Sequence, residues 1–272
     1  MKRSIRLTII IIAIAILFPT CFKDANNTQT CLITSVIRNE RKIVMTYSPG
    51  KMLIGISDYS DSANILTLNQ YDLFYNINGY LSSVNLHLET GVWDSLAFDY
   101  TVNSRVKQRL FTSSANGYVL NNTRSYVLDN NGYISSDTTW DANNLQKGSA
   151  AMLNFSTYQY DDNQNLKTFR NYNPNGSINF SMDITYSNTS ITNTSFHIAK
   201  FTAMDKFMGS YQFLFPTTRK LPSKIVFASG GSSWINDYTY TYNSDGDVIV
   251  EDFTSSSCDG CTTTTQYNYR CR

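Results

Sequence analysis

The sequence predicts an all-β protein built as an antiparallel meander, and three observations support this fold class. First, 14% of the 272 residues are aromatic and 16% are charged, and aromatic residues favour a half-buried pleated sheet. Second, apolar and polar residues alternate, as in Tyr238, Tyr240 and Tyr242 with Thr239 and Thr241 between them, which is the period of a strand. Third, a turn phrase recurs along the chain. This composition also argues against intrinsic disorder.

The turn phrase has the form Tyr-Asn-x-Asn-Gly, in which Asn or Asp caps its own backbone and Gly takes a positive φ. Close copies begin at Tyr75, Leu128, Tyr172 and Tyr242, and looser copies begin at Tyr47, Tyr100, Tyr160 and Tyr186. The anchors at 47, 75, 100, 128, 160, 186 and 242 are separated by 28, 25, 28, 32, 26 and 56 residues. Because 56 is twice 28, the spacing predicts one degraded copy. We expect about eight stacked β-hairpins in a single domain, residues 36–272, since one hairpin alone is only marginally stable.

Two details follow from the same pattern. On the return strand after Tyr242, strict alternation places Val248 and Val250 on one face and Glu251 on the other. One segment lacks the alternation of a strand. Its apolar residues are spaced three and four positions apart, at Met204, Phe207, Met208 and Tyr211. That spacing predicts a short helical or loop insertion near residues 203–215, with one apolar face.

The first twenty residues have the pattern of a secretory signal peptide. Lys2, Arg3 and Arg6 precede an apolar stretch, residues 7–18, which is too short to span a bilayer. The stretch ends in Leu-Phe-Pro-Thr-Cys at residues 17–21, which resembles a bacterial lipoprotein cleavage box and implies lipidation of Cys21. An ordinary signal peptide with an incidental Cys is the alternative. Cleavage would change the net charge from +1 to −2 and would leave residues 21–35 as a polar, lipid-anchored tether.

Four further cysteines, Cys31, Cys258, Cys261 and Cys271, allow three disulfide pairings, and export favours disulfides. Asp-Gly between Cys258 and Cys261 is a strong hairpin signal, and such a hairpin brings the flanking Cα atoms within disulfide range. Cys31 and Cys271 would then link the first strand to the last. A redox Cys-x-x-Cys would need a helix N-terminus, and a zinc site would need a second close pair.

The Tyr-Asn-x-Asn-Gly-Tyr hairpins resemble the degenerate Tyr-Asp repeats of rearrangement-hotspot proteins. Together with the lipoprotein box, the Leu-Pro-Ser-Lys-Ile phrase at 221–225 and the strand at 238–246, they are similar to a family of uncharacterised Bacteroidota lipoproteins with a domain of unknown function. The resemblance covers most of residues 36–272. It implies a large curved antiparallel sheet or an incomplete, porin-like barrel, and it lends no catalytic residues.

Few residues suggest a chemical site. His87 and Glu89 share a strand face, with Asp94 beyond a turn, but a metal or acid–base role would need convergence from another strand. Residues 161–165 have the oxygen spacing of a calcium loop, yet Leu166 and Tyr172 occupy the positions of its Gly and Glu, so we interpret them as a turn. We therefore predict no catalytic residues, no metal and no cofactor, and the near-neutral charge predicts no nucleic-acid partner.

The leading functional hypothesis is a non-enzymatic outer-membrane lipoprotein, facing the periplasm or the cell surface. Its sheet would be a binding or structural surface, with a glycan or a peptide as the expected partner, and we expect a monomer. The alternative is a glycan-processing hydrolase, which needs two carboxylates about 5–9.5 Å apart. A third hypothesis is that the chain is itself a membrane-spanning barrel.

Overall fold

The computed structural model of the protein describes residues 31–38, 41–59, 67–88, 93–101, 105–114, 117–142, 151–190, 220–258 and 261–271. These residues form sixteen strands. The first eight are β1 (Cys31–Arg38), β2 (Arg41–Tyr47), β3 (Leu53–Tyr59), β4 (Thr67–Tyr75), β5 (Leu81–Leu88), β6 (Trp93–Thr101), β7 (Arg105–Ser114) and β8 (Gly117–Leu128). The others are β9 (Ile134–Asp141), β10 (Met152–Tyr160), β11 (Leu166–Tyr172), β12 (Ile178–Ser190), β13 (Lys220–Ser229), β14 (Ser232–Tyr242), β15 (Val248–Ser255) and β16 (Cys261–Cys271).

The strands form one closed antiparallel barrel, in which every strand pairs with the next in sequence and β16 pairs with β1. The all-β, antiparallel prediction is therefore confirmed, but the expectation of an open sheet or incomplete barrel was wrong. Closure follows because Cys31 to Arg38 pair along β16 from Cys271 to Thr265. This pairing also makes residues 31–35 part of β1, although the sequence assigned them to the tether.

The barrel has two dissimilar ends. One end, here named the turn rim, holds the connections that follow the even-numbered strands β2 to β14, together with the start of β1 and the end of β16. The other end, the far rim, holds the connections that follow the odd-numbered strands. The helical or loop insertion predicted near 203–215 lies outside the described residues, between β12 and β13. Within the described ranges, no helix is long and apolar enough to cross a membrane.

Each repeat is one pair of strands, so sixteen strands make eight repeats, as predicted. The predicted degraded copy between 186 and 242 was wrong, because β12 pairs directly with β13. The long spacing instead comes from residues 191–219, which connect the repeat β11–β12 to the repeat β13–β14. The copy at Tyr172 also departs from the series, since its turn lies on the far rim between β11 and β12.

A β-bulge near the turn rim resets which side chains face the interior. Register shifts occur just before the last residue of β2, β4, β8, β10 and β14, and just before Tyr186 in β12. A bulge places two residues opposite one, so the buried positions after each turn are three residues apart rather than two. The pairs that show this spacing are Leu53/Ile56, Leu81/Val84, Ile134/Asp137, Leu166/Phe169, Pro222/Ile225 and Val248/Glu251.

Candidate functional site

The five connections of the turn rim that lie within the described residues are copies of one tight turn. In four of them a carboxylate or amide oxygen of the first turn residue accepts from two backbone N–H groups at 2.8–3.0 Å: Asn76, Asp129, Asp161 and Asn243. In the fifth, Ser48 Oγ accepts from the Met52 amide at 3.2 Å. Gly79, Gly132 and Gly246 take the positive φ that this turn demands, whereas Lys51 and Gln164 adopt it without being glycine.

Seven tyrosines staple neighbouring strands at this rim. Each hydroxyl lies on an even-numbered strand and donates to a backbone carbonyl of the preceding strand, at 2.6–2.9 Å. The donor and acceptor pairs are Tyr47/Ile33, Tyr75/Leu53, Tyr100/Leu81, Tyr160/Ile134, Tyr186/Leu166, Tyr240/Pro222 and Tyr269/Val248. In the remaining repeat, β7–β8, Leu128 takes the place of the tyrosine and pairs with Ile134. Leucine has no hydroxyl to donate. The seven bonded tyrosines therefore have a structural role.

Replacing one anchor hydroxyl, by Tyr75→Phe, should lower the free energy of unfolding by about 1–3 kcal/mol, because the bonded Leu53 carbonyl loses its partner in a half-buried place. Urea denaturation checks this value. Tyr172→Phe is the matched control, since Tyr172 lies at the far rim and stacks on Phe155 at 4.7 Å. Equal effects of the two substitutions would contradict the stapling role.

The buried tyrosines also predict how the protein responds to alkali. Burial raises the pKa of Tyr47, Tyr160, Tyr186 and Tyr240 well above the ordinary value, and it raises the pKa of Tyr238 to about 12. In the unfolded chain the tyrosine pKa is about 10, so stability that is complete below pH 10 should be lost as pH rises toward 12 and beyond. Circular dichroism and tyrosine absorbance should change together, whereas ionisation near pH 10 without unfolding would contradict this expectation.

The interior contains a buried polar group, here named the Arg124 cluster. Arg124 Nε donates to Asp137 Oδ1 at 2.8 Å, and Tyr158 OH donates to Asp137 Oδ2 at 2.6 Å. The guanidinium also lies over the Tyr126 ring at 5.6 Å, and Tyr126 OH donates to Gln108 Oε1. Burial acts to lower the pKa of Arg124, but Tyr126, Asp137 and Tyr158 outweigh it, so the pKa is raised. Both oxygens of Asp137 are thus engaged, which suits a fixed ion pair better than proton transfer.

A second interior group, here named the Glu251 cluster, lies on β14, β15 and β16. Glu251 is 4% exposed and faces Tyr240 and Thr265 in register. Burial raises the pKa of Tyr267 well above its ordinary value, the Glu251 charge raises it further, and Arg38 acts in the opposite direction.

A cavity of about 280 Å³ opens at the turn rim, where β1, β2 and β16 meet. Its walls combine apolar side chains with two exposed cations, Lys51 and Arg270, and with the hydroxyls of Thr34, Thr46 and Ser48. We name this cavity the seam pocket. Its composition would suit a small anionic group attached to an apolar chain.

The structure separates the histidine candidates. His87 points outward, where its Nε2 lies 3.2 Å from Asp72 Oδ2. Asp94 is paired with Leu86 on the interior-facing side, and within the described residues no hydrogen-bond partner reaches its buried Oδ1. Glu89 lies outside the described residues. Across the described ranges, no group of three or more His, Cys, Asp or Glu could hold a metal ion.

The structure describes Asp161 and four of the five cysteines that the sequence singled out. Asp161 opens a turn, as predicted, and also accepts from Asn165 Nδ2 at 2.9 Å. Cys258 and Cys261 lie within disulfide distance, with Cα atoms 5.5 Å apart. Cys31 and Cys271 are register partners in β1 and β16. Cys21 lies outside the described residues, so its lipidation stays a prediction.

The alternation of apolar and polar residues along the sequence did not predict the charged residues that face the interior. It placed Glu251 on the face opposite Val248, but the bulge turns both inward. Aligning the repeats at their turns would have revealed a signal, because the third residue after Leu53, Leu81, Leu166 and Pro222 is Ile56, Val84, Phe169 and Ile225 in turn. Asp137 and Glu251 occupy that core position in two others.

Comparison with known proteins gives fold likenesses only. No family model matches the chain, and no curated protein matches it. Among solved structures, a porin-like protein from Bacteroides uniformis is 13% identical, with 88% of this chain and 96% of that chain covered and a TM-score of 0.42. A porin-like protein from Bacteroides vulgatus is 13% identical, with coverages of 88% and 98% and a TM-score of 0.40. The complex TcdB2-TccC3 without its hypervariable C-terminal region is 15% identical, with coverages of 85% and 13% and a TM-score of 0.33.

Proposed function

We propose that the protein is an exported outer-membrane lipoprotein, anchored through Cys21, whose barrel is a non-catalytic binding or structural surface. The observation that carries the non-catalytic part is the state of Asp137. Its two oxygens accept from Arg124 and Tyr158 in a place that is 1% exposed. A general acid must present a carboxyl oxygen to the glycosidic oxygen of its substrate, and both Asp137 oxygens are already bonded to neighbouring side chains.

The outer face of the barrel supports a surface in contact with water. Charged pairs face outward along the strands, namely Arg109 with Asp99 at 2.8 Å and Arg170 with Asp183 at 2.7 Å. A charged side chain facing lipid near the middle of a membrane costs about 2–4 kcal/mol for Arg or Lys. These pairs therefore favour a lipid-anchored barrel over one that spans the membrane.

The anchor and the binding surface need separate experiments. Labelled palmitate should enter the full chain in a bacterium that acylates lipoproteins, and Cys21→Ala should abolish the label. If the Cys21→Ala chain still incorporates palmitate, the anchor hypothesis fails. The purified mature protein should then be screened on glycan and peptide arrays, and binding to neither class would leave a purely structural role.

The Glu251 cluster is the observation that favours the alternative, a glycan-processing hydrolase. If the barrel cleaves glycans, Glu251→Gln should abolish product formation while Asp252→Asn, its outward-facing neighbour bonded to Thr264, should leave it intact. No glycan cleavage by the unmodified protein, or equal activity of both variants, would exclude Glu251 as a catalytic residue. We favour the non-catalytic function, since the Asp137 carboxylate is engaged.

A further inference from the structure

The turn rim is chemically asymmetric. The turns after β2 and β4 expose large apolar side chains, with Met52 at 38%, Ile54 at 40%, Phe74 at 48% and Ile77 at 101% relative exposure. The four residues lie on two adjacent hairpins, because β3 pairs with β4. No acidic residue lies in either turn, residues 48–52 and 76–80. We name this part of the rim, with the neighbouring start of β1 and end of β16, the anchor sector.

The other described tight turns of the rim are acidic, although Val127 and Tyr242 beside two of them are exposed at 36% and 38%. Those after β8, β10 and β14 contain five acidic residues, Asp129, Asp161, Asp162, Asp245 and Asp247. An acidic surface is repelled by an anionic membrane, whereas an apolar surface with cations is attracted to it. The turns after β8 and β10 lie across the barrel from the anchor sector, whereas the turn after β14 adjoins β16 at the edge of that sector. A tilted orientation with the anchor sector nearest the lipid keeps Asp129, Asp161 and Asp162 away from an anionic membrane.

The seam pocket lies within the anchor sector. Lys51 comes from the turn that also exposes Met52, and Arg270 comes from the last turn-rim residues of β16. Leu32, Met45 and Pro49 supply apolar walls. A lipid phosphate with the first carbons of its glycerol matches this combination of two cations, hydroxyls and apolar surface.

The start of β1 lies in the anchor sector, next to the segment that carries Cys21. Strand β1 begins at Cys31 beside β2, so the segment that leads back to Cys21 approaches the barrel at the anchor sector. Ten residues span at most about 36 Å when fully extended. A lipid on Cys21 would therefore keep this sector within reach of the bilayer surface.

We propose that the anchor sector docks on an anionic phospholipid surface. Met52, Ile54, Phe74 and Ile77 enter the interfacial region, and Lys51 and Arg270 hold a lipid phosphate in the seam pocket. This inference deepens the proposed function and rests on the lipid anchor at Cys21. It fixes the orientation of the barrel, with the turns after β8 and β10 and the far rim directed away from the membrane.

Tryptophan quenching by brominated lipid tests the docking. The acylated full chain carrying Phe74→Trp or Ile77→Trp is reconstituted in vesicles of brominated phosphatidylcholine and phosphatidylglycerol in equal parts. Tyr118→Trp is the matched control, since Tyr118 is 58% exposed at the far rim. The added fluorescence of the two anchor-sector variants should be quenched several-fold more strongly than that of the control. Equal quenching in all three variants would overturn the docking.

Charge reversal tests the role of the pocket. Lys51→Glu with Arg270→Glu, added to the Ile77→Trp chain, should reduce the quenching in anionic vesicles to the level seen in pure brominated phosphatidylcholine. Lys107→Glu with Lys167→Glu is the control of equal charge change at exposed positions outside the sector and should have little effect. Equal effects of the two pairs would overturn phosphate recognition by the seam pocket.

Palmitate labelling separates the two proposals. An unlabelled chain refutes the lipid anchor, and a labelled chain without quenching refutes the docking alone.

Discussion

Replacing Arg124 by Met is expected to lower the free energy of unfolding by about 3–5 kcal/mol, because it leaves a buried carboxylate without its cation. The Asp137 side chain is 0% exposed and the Arg124 side chain is 18% exposed. The Tyr158 hydroxyl would remain bonded to Asp137, but one neutral donor does not replace a guanidinium. Urea denaturation followed by circular dichroism, with an unchanged slope, measures the effect.

Arg170→Met is the matched control for this substitution. Arg170 pairs with Asp183 on the outer face, where the Asp183 side chain is 52% exposed, and such exposed pairs contribute about 0–1 kcal/mol. A second variant, Arg124→Met with Asp137→Leu, removes both charges and should recover most of the loss, since replacing a whole buried pair by apolar residues is often neutral. If Arg124→Met costs no more than Arg170→Met, the interior ion pair is not important for stability.

Removing the predicted link between the two ends of the chain should have an effect of similar size. Cys31 and Cys271 face each other in β1 and β16, and a disulfide there would close the barrel covalently. Loop-entropy arguments give about 5 kcal/mol for a loop of this length. The double variant Cys31→Ser and Cys271→Ser should therefore unfold at a markedly lower urea concentration than the unmodified protein.

The short pair Cys258 and Cys261 gives the matched control. The loop that it closes contains four residues, for which the same argument gives about 2 kcal/mol, and the adjoining strands β15 and β16 are already paired. Non-reducing mass spectrometry of the unmodified protein should show both links. Unreacted thiols at Cys31 and Cys271, or equal loss of stability in the two double variants, would refute the end-to-end link.

The repeats show how far local sequence reasoning extends. The turn phrase at Tyr75 predicted a capped turn with glycine at positive φ, and the structure has both the Asn76 cap and Gly79 at φ +80. It also predicted the number of repeats. These features depend on four or five consecutive residues, so they can be predicted without any knowledge of distant parts of the chain.

The errors arose where pairing between strands decides the outcome. The 56-residue spacing looked like a lost repeat, but the register of β12 with β13 shows one long connection. Glu251 was assigned to the wrong face because the bulge opposite Thr241 and Tyr242 changes the alternation. Tyr240, rather than the phrase anchor Tyr242, bonds Pro222 for the same reason. Neither the partner strand nor its bulge is encoded within one hairpin phrase.

The sequence by itself determined the all-β class, the repeat and the turns, because backbone propensity and side-chain capping act over a few residues. Only the tertiary structure decided that the meander closes, that seven tyrosines staple one rim and that Arg124 meets Asp137 inside. It also decided that Lys51 and Arg270 share a pocket, although they lie at opposite ends of the chain. These outcomes depend on strand register and closure, which are set by packing of the whole barrel.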